Sequence, residues 1–168
     1  CQAQVTKKDI KSYTNQPYKI INNNIPAFTE TEKQNTTAFE TYSDLDSLGR
    51  CGVAYANICK ELMPTSPRED IFIIHPSGWR SGMKWERCHL IGFQPAGENA
   101  NEKNLITGTH YFNESGMLPF ENLMADYVRK TDHHVLYRVT PVYLSKNLVA
   151  SGVQMEAYSV EDNGKGIC

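Results

Sequence analysis

A chain of 168 residues and 19.0 kDa fits one domain, and at that length a core forms without a metal or disulfide staple. Hydrophobic residues at 40% and charged residues at 21%, with nine Tyr, six Phe and two Trp, exclude a disordered chain, and no apolar run reaches the roughly 18 to 20 residues of a membrane helix. Seventeen basic against nineteen acidic side chains give a net charge of −2, which by itself argues against a partner held by bulk positive charge, such as coated DNA.

Residues 1–16 are polar and aperiodic and read as a flexible arm ahead of one domain over 17–168. Cys1 has two readings: a chain boundary, or the lipid-bearing first residue of a processed bacterial lipoprotein. Tyr18-Lys19-Ile20-Ile21 is a candidate strand stopped by Asn22-Asn23-Asn24, and residues 29–47 read mostly as loop. Cys51 to Cys59 is small and apolar. Ile71-Phe72-Ile73-Ile74, between Asp70 and Pro76, predicts a buried strand. Phe120, Leu123, Met124, Tyr127 and Val128 form one stripe at helical spacing, so residues 119–131 predict a helix, with Pro119 in its first turn and Arg129 and Lys130 in its last. Residues 134–143 and 148–160 predict two strands; Val153, Met155 and Ala157 alternate with polar neighbours in the second. The mixture is α+β, a central antiparallel sheet flanked by helices. Asn163-Gly164-Lys165-Gly166 runs straight into Cys168, which reads as a truncated end.

Five cysteines, with no Cys-x-x-Cys, leave at least one unpaired and disfavour a zinc ribbon; Cys51 and Cys59 suit either a disulfide or two buried thiols. The chemistry concentrates in residues 85–113. Arg87 and His89 are two apart on a predicted strand and share a face. A neutral imidazole accepts a proton near pH 7, and an Arg beside it suits phosphate. The amide oxygens of Asn104 and Asn113 are hard donors of the kind Mg²⁺ takes alongside water and phosphate. Together these describe metal-assisted phosphodiester hydrolysis. On spacing alone, a histidine that merely packs and asparagines that merely turn the chain outweigh that reading.

A longer set of matches shifts the balance. The segment Glu86-Arg87-Cys88-His89 resembles the Asp-Arg-Gly-His signature of the DNA/RNA non-specific endonucleases, whose site is a ββα-metal, or His-Me finger, motif. Leu90-Ile91-Gly92, Gly97-Glu98-Asn99, Asn101 to Leu105, Gly116 to Asn122 and Tyr137 to Pro141 also match, and the similarity spans roughly 17–168. It is nearest to the streptococcal-type extracellular DNases and DNA-entry nucleases.

The resemblance implies roles. His89 matches the general base, Asn113 the ligand of a single Mg²⁺ (for which Mn²⁺ substitutes), and Glu121 the acid that holds metal-bound water. Asn104 is similar to the second asparagine, which supports the site, and Arg87 to the arginine that meets phosphate or fixes the motif. The resemblance favours a basic residue at Arg138 as a further contact to DNA or RNA, a position that serves a structural ion pair equally well; Lys84 with Arg80 and Arg87 makes a local basic cluster that suits the phosphate backbone. Glu86 for Asp and Cys88 for Gly are departures that leave the roles of these two positions open. The resemblance implies a secreted or surface-attached bacterial enzyme. Two other classes stay in view: a non-catalytic surface lipoprotein that binds nucleic acid, and a thiol or zinc hydrolase using Cys88. The net charge of −2 is compatible with a metal nuclease, because the ion and a few residues supply positive charge locally.

Overall fold

A computed structural model describes residues 17–168; the predicted arm and Cys1 lie outside the described residues. Six strands form two sheets. Strands β1 (Phe39–Tyr42), β2 (Ala54–Ile58), β5 (Val135–Val142) and β6 (Gly152–Ser159) make an antiparallel sheet in the order β1-β2-β5-β6. Strands β3 (Glu86–His89) and β4 (Leu105–Gly108) make a separate antiparallel pair. After β4 the chain turns through a wide helical segment, Phe112–Met117, into helix α2, Leu118–Thr131. A single helical turn, α1 (Phe93–Ala96), follows β3.

Strand alternation sorts the core into two layers. Ala54, Ala56, Ile58, Val135, Tyr137 and Val139 face Cys88, Leu90, Ile91 and Ile106 of the β3–β4 layer and Met117, Met124 and Val128 of α2. The other sheet face carries Phe28, Leu136 and Val160, with Phe39, Tyr55 and Tyr158 packed on them. Helix α2 forms where its apolar stripe predicts, with Pro119 in the first turn, and ends at Asp132 in the left-handed region.

Two expectations from local pattern need correction. Residues 18–21 form no strand; Asn22, Asn23 and Asn24 all adopt positive φ and turn the chain before it can pair. Residues 29–47 are mostly loop, as expected, and include β1, a four-residue edge strand whose register is set by β2. Residues 71–74 are a turn rather than a buried strand, with Phe72 71% and Ile73 83% exposed. Asp70 Oδ1 takes the Phe72 N–H and Arg87 takes the carbonyls of Phe72 and Ile74, so no ladder remains for a neighbour. Cys51, Cys59, Cys88 and Cys168 are all free thiols, which decides against a Cys51–Cys59 disulfide.

Candidate active site

The site grows from β3. Its register with β4 sets Glu86 opposite Gly108, Arg87 opposite Thr107, Cys88 opposite Ile106 and His89 opposite Leu105. Cys88 points into the core, and Arg87 and His89 point to the other side, as a period of two requires. Nε2 of His89 lies 3.2 Å from the carbonyl oxygen of Asn99. A carbonyl only accepts, so in the neutral ring Nε2 carries the proton and Nδ1 holds the lone pair. Burial holds the ring below the usual histidine range, and the positive charge of Arg68 lowers it further, against the pull of the Asn99 carbonyl and Glu98. His89 is therefore neutral at pH 7, the form a base needs.

Asn99 also accepts the Glu69 N–H at its Oδ1, 3.0 Å away, and so ties the Arg68-Glu69 segment to the loop that orients His89. The Arg68 guanidinium lies 5.3 Å from the centroid of the Phe93 ring, and no acidic side chain pairs with it among the described residues. Its charge acts on both His89 and Glu121. Sequence reasoning missed Arg68, because it stands in a proline-broken loop twenty-one positions before His89 with no motif around it.

The helical segment supplies the second half. Asn113 Nδ2 donates to Glu86 Oε2 at 3.3 Å, and its Oδ1 has no partner among the described residues. Glu121 is 8% exposed and has no hydrogen-bond partner among the described residues; its carboxyl is pushed up to about 7 by burial, with Arg68 pulling the other way. Gly92, three residues after His89, makes room for it: a Cβ there would stand 2.2 Å from Glu121 Oε2. Asn113 thus meets the start of β3, Glu121 meets the chain just beyond its end, and Arg68 links Glu121 electrostatically to His89.

Asn104 is fully buried. Its Oδ1 accepts from Ile91 N at 2.9 Å and its Nδ2 donates to Ile91 O at 2.8 Å. It clips the entry of β4 to the exit of β3, and its complete burial leaves no face of it open to substrate. Arg87 donates to the carbonyls of Ile74 and, at 3.0 Å, Phe72, and stacks 4.0 Å from the Trp79 ring centroid. It clamps the 72–79 loop, the motif-fixing arm of its expected role. Arg138 makes the ion pair that was one of its two expected roles. It lies between Tyr55 and Glu156 in the register, bonds Glu156 at 2.9 and 3.1 Å, and faces away from the layer that holds β3. Residues 136 and 138 share a face, and Leu136 belongs to the opposite core cluster, so Arg138 serves a structural ion pair. Lys84 and Arg80 are exposed near the start of β3 without ion-pair partners among the described residues. The Cys88 thiol is pushed up to about 12 by burial and rests against Gly108, a packing role that leaves no thiolate for a hydrolase. No group of three or more His, Cys, Asp or Glu among the described residues could hold a metal, which opposes a zinc centre of that kind.

Glu98, beside Asn99, is bonded by Asn101 Nδ2 at 3.2 Å and shares a hydrogen bond with Glu40 of β1. Burial first, then Glu98, push the Glu40 carboxyl up to about 7. The folded chain therefore keeps a proton that the unfolded chain releases at ordinary carboxylate values. Stability from this proton is full below that range and is lost as pH rises through about 7. Between pH 5 and 8 the melting midpoint of metal-free protein is expected to fall more than that of the Glu40→Gln variant; equal falls in the two proteins count against the shared proton.

Comparison with known proteins fits this geometry. The model of the DNA/RNA non-specific endonuclease family matches residues 29–161. The chain belongs to the DNA/RNA non-specific endonuclease family. NucA from Streptococcus agalactiae, solved with a magnesium ion bound, is 25% identical with a TM-score of 0.73, over 86% of this chain and 73% of that one. Sda1 nuclease, solved with a zinc ion bound, is 26% identical with a TM-score of 0.64, over 74% and 70%. An extracellular endonuclease at 21% identity, TM-score 0.58, covering 76% of this chain and 66% of its own, shares the fold. Comparison with curated proteins finds no match. The endonuclease is a nucleic-acid hydrolase of mixed α/β fold, and none of its described helices is long and apolar enough to cross a membrane.

Proposed function

We propose that this endonuclease is metal-dependent and cuts DNA, and RNA as well, with little sequence preference, outside the cell that makes it. The observation that carries the reading is the neutral His89 whose Nε2 is held by the Asn99 carbonyl. Nδ1 takes a proton from water as the water oxygen attacks phosphorus, and the 3′ oxygen departs with the bonding pair, leaving a 5′ phosphate on the other product. Arg68 supplies for phosphate a guanidinium without an acidic partner among the described residues, and Lys84 adds charge that positions the backbone without reading sequence. An enzyme of such low selectivity would attack its own genome, which is the reason to place its action outside the cell.

The residues fit a hard divalent cation. Among the described residues Asn113 presents an unpartnered amide oxygen and Glu121 is a buried carboxyl without a hydrogen bond, an arrangement that a cation or its water relieves. Asn113 would hold the ion directly and Glu121 its water, and bound Mg²⁺ would neutralise charge that develops on the phosphate. Incubation with plasmid DNA or RNA and Mg²⁺ or Mn²⁺ is expected to give smears of random fragments. EDTA is expected to stop the reaction, and Asn113→Ala to slow it by about 10²-fold or more, the scale of losing one electrostatic stabiliser. Full activity in EDTA overturns the metal dependence; DNA bound but left intact favours a non-catalytic binder.

A further inference from the structure

Glu86, the position that departs from the family signature, has both carboxylate oxygens engaged by residues from the segment that leads into α2. Its Oε2 accepts from Asn113 Nδ2 at 3.3 Å, and its Oε1 lies 2.5 Å from Nδ1 of His110. Nε2 of the same ring lies 3.2 Å from Glu114 Oε2, one helical turn further on. The chain of contacts is therefore Glu114, His110, Glu86, Asn113.

Chemistry gives this chain a direction. A carboxylate only accepts, so Asn113 must turn its NH₂ group to Glu86 and its Oδ1 away. Glu86 thereby decides which end of the amide is offered to an ion. Glu86 is only half-buried at the first residue of a two-stranded sheet, where a long side chain has several rotamers. His110 donates to it from the opposite side of its carboxylate and removes that freedom. Outer partners of this kind orient a ligand without touching the ion.

We propose that His110 is a positioning residue that acts through Glu86 to hold the Asn113 amide with Oδ1 facing the metal. The proposal rests on the reading of Asn113 as the metal ligand. His110 touches neither substrate nor ion, and its side chain is 66% exposed, so its replacement leaves the core intact.

The test measures metal binding itself in the His89→Ala protein, which removes turnover. Mn²⁺ uptake is followed by loss of the free-ion electron paramagnetic resonance signal, and Mg²⁺ by competition, with circular dichroism to check folding. His110→Ala and Glu86→Ala are each expected to weaken Mn²⁺ binding about 10-fold or more. The double variant is expected to lose little beyond either single change, since both act on one amide. His110→Gln, which keeps a donor towards Glu86, is expected to recover most of the affinity. Unchanged or tighter Mn²⁺ binding by His110→Ala overturns the proposal, as do fully additive losses in the double variant. A parent that takes up no Mn²⁺, or whose affinity is untouched by Asn113→Ala, overturns the metal assignment itself, so the two failures are told apart.

Discussion

Replacing His89 with alanine is expected to slow plasmid cleavage by about 10² to 10⁴-fold, the usual worth of a positioned general base. The ring has one nitrogen committed to the Asn99 carbonyl and one lone pair left for water. Because burial and Arg68 hold its proton affinity down, the base form persists below the usual histidine range. The acid limb of activity assigned to His89 should therefore lie below pH about 6.5, the ordinary histidine value. The check is a rate measurement across pH for the parent and the His89→Ala protein, with circular dichroism to confirm that both are folded. Cleavage by His89→Ala within a few-fold of the parent would remove His89 from the role of base. An Asn99→Ala protein tests the same idea more gently: the carbonyl is backbone and survives, but the tie to Glu69 N is lost, so the Arg68 segment loosens while the His89 ring keeps its partner.

The second large effect is on stability. Asn104→Ala leaves the buried N–H and carbonyl of Ile91 without partners. Each orphaned buried group costs about 1–3 kcal/mol, so a loss of about 2–5 kcal/mol is expected, a large share of a typical domain's stability. For a chain of this size that corresponds to a melting midpoint lower by roughly 5–15 °C. Thermal unfolding at fixed pH reads the effect directly. Activity should fall as well, because Ile91 lies between His89 and the Gly92 that seats Glu121. A variant with the parent's melting midpoint and no cleavage would make Asn104 a direct participant in the chemistry instead of the clip it forms here.

The two results together would separate two functions that the sequence motif runs together. Glu86-Arg87-Cys88-His89 looks like one catalytic unit, yet its four side chains do four different things. Glu86 accepts from Asn113, Arg87 bonds the carbonyls of Phe72 and Ile74, Cys88 fills the core against Gly108, and the His89 ring meets the Asn99 carbonyl. The departure from Gly to Cys at position 88 costs no room because residue 108 on the neighbouring strand has no side chain.

Sequence alone determined a good part of this protein. The stripe of Phe120, Met124 and Val128 dictated α2, and the alternation in 152–159 dictated β6, since both are periodic over enough residues for burial to be read directly. That Arg87 and His89 share one face of β3 was legible from spacing, and the resemblance pointed to Asn113 and Glu121 as candidates. Other features depended on contacts between residues far apart in the chain. The apolar run 71–74 has the composition of a strand, but Arg87, thirteen residues on, captures its carbonyls and holds it as an exposed turn. Arg138 carries a charge that suits phosphate, but the register of β5 with β6 sets it against Glu156 on the far face of the sheet. Arg68 had no motif to announce it, and the sequence left His110, near Asn113, open between the site and the surface; the loop tied by Asn99 and the segment leading into α2 set where they lie. Local pattern fixes which residues are buried along one element, because burial repeats with the element's own period. What a polar side chain meets is fixed by long-range register, and that is decided only when the layers have packed.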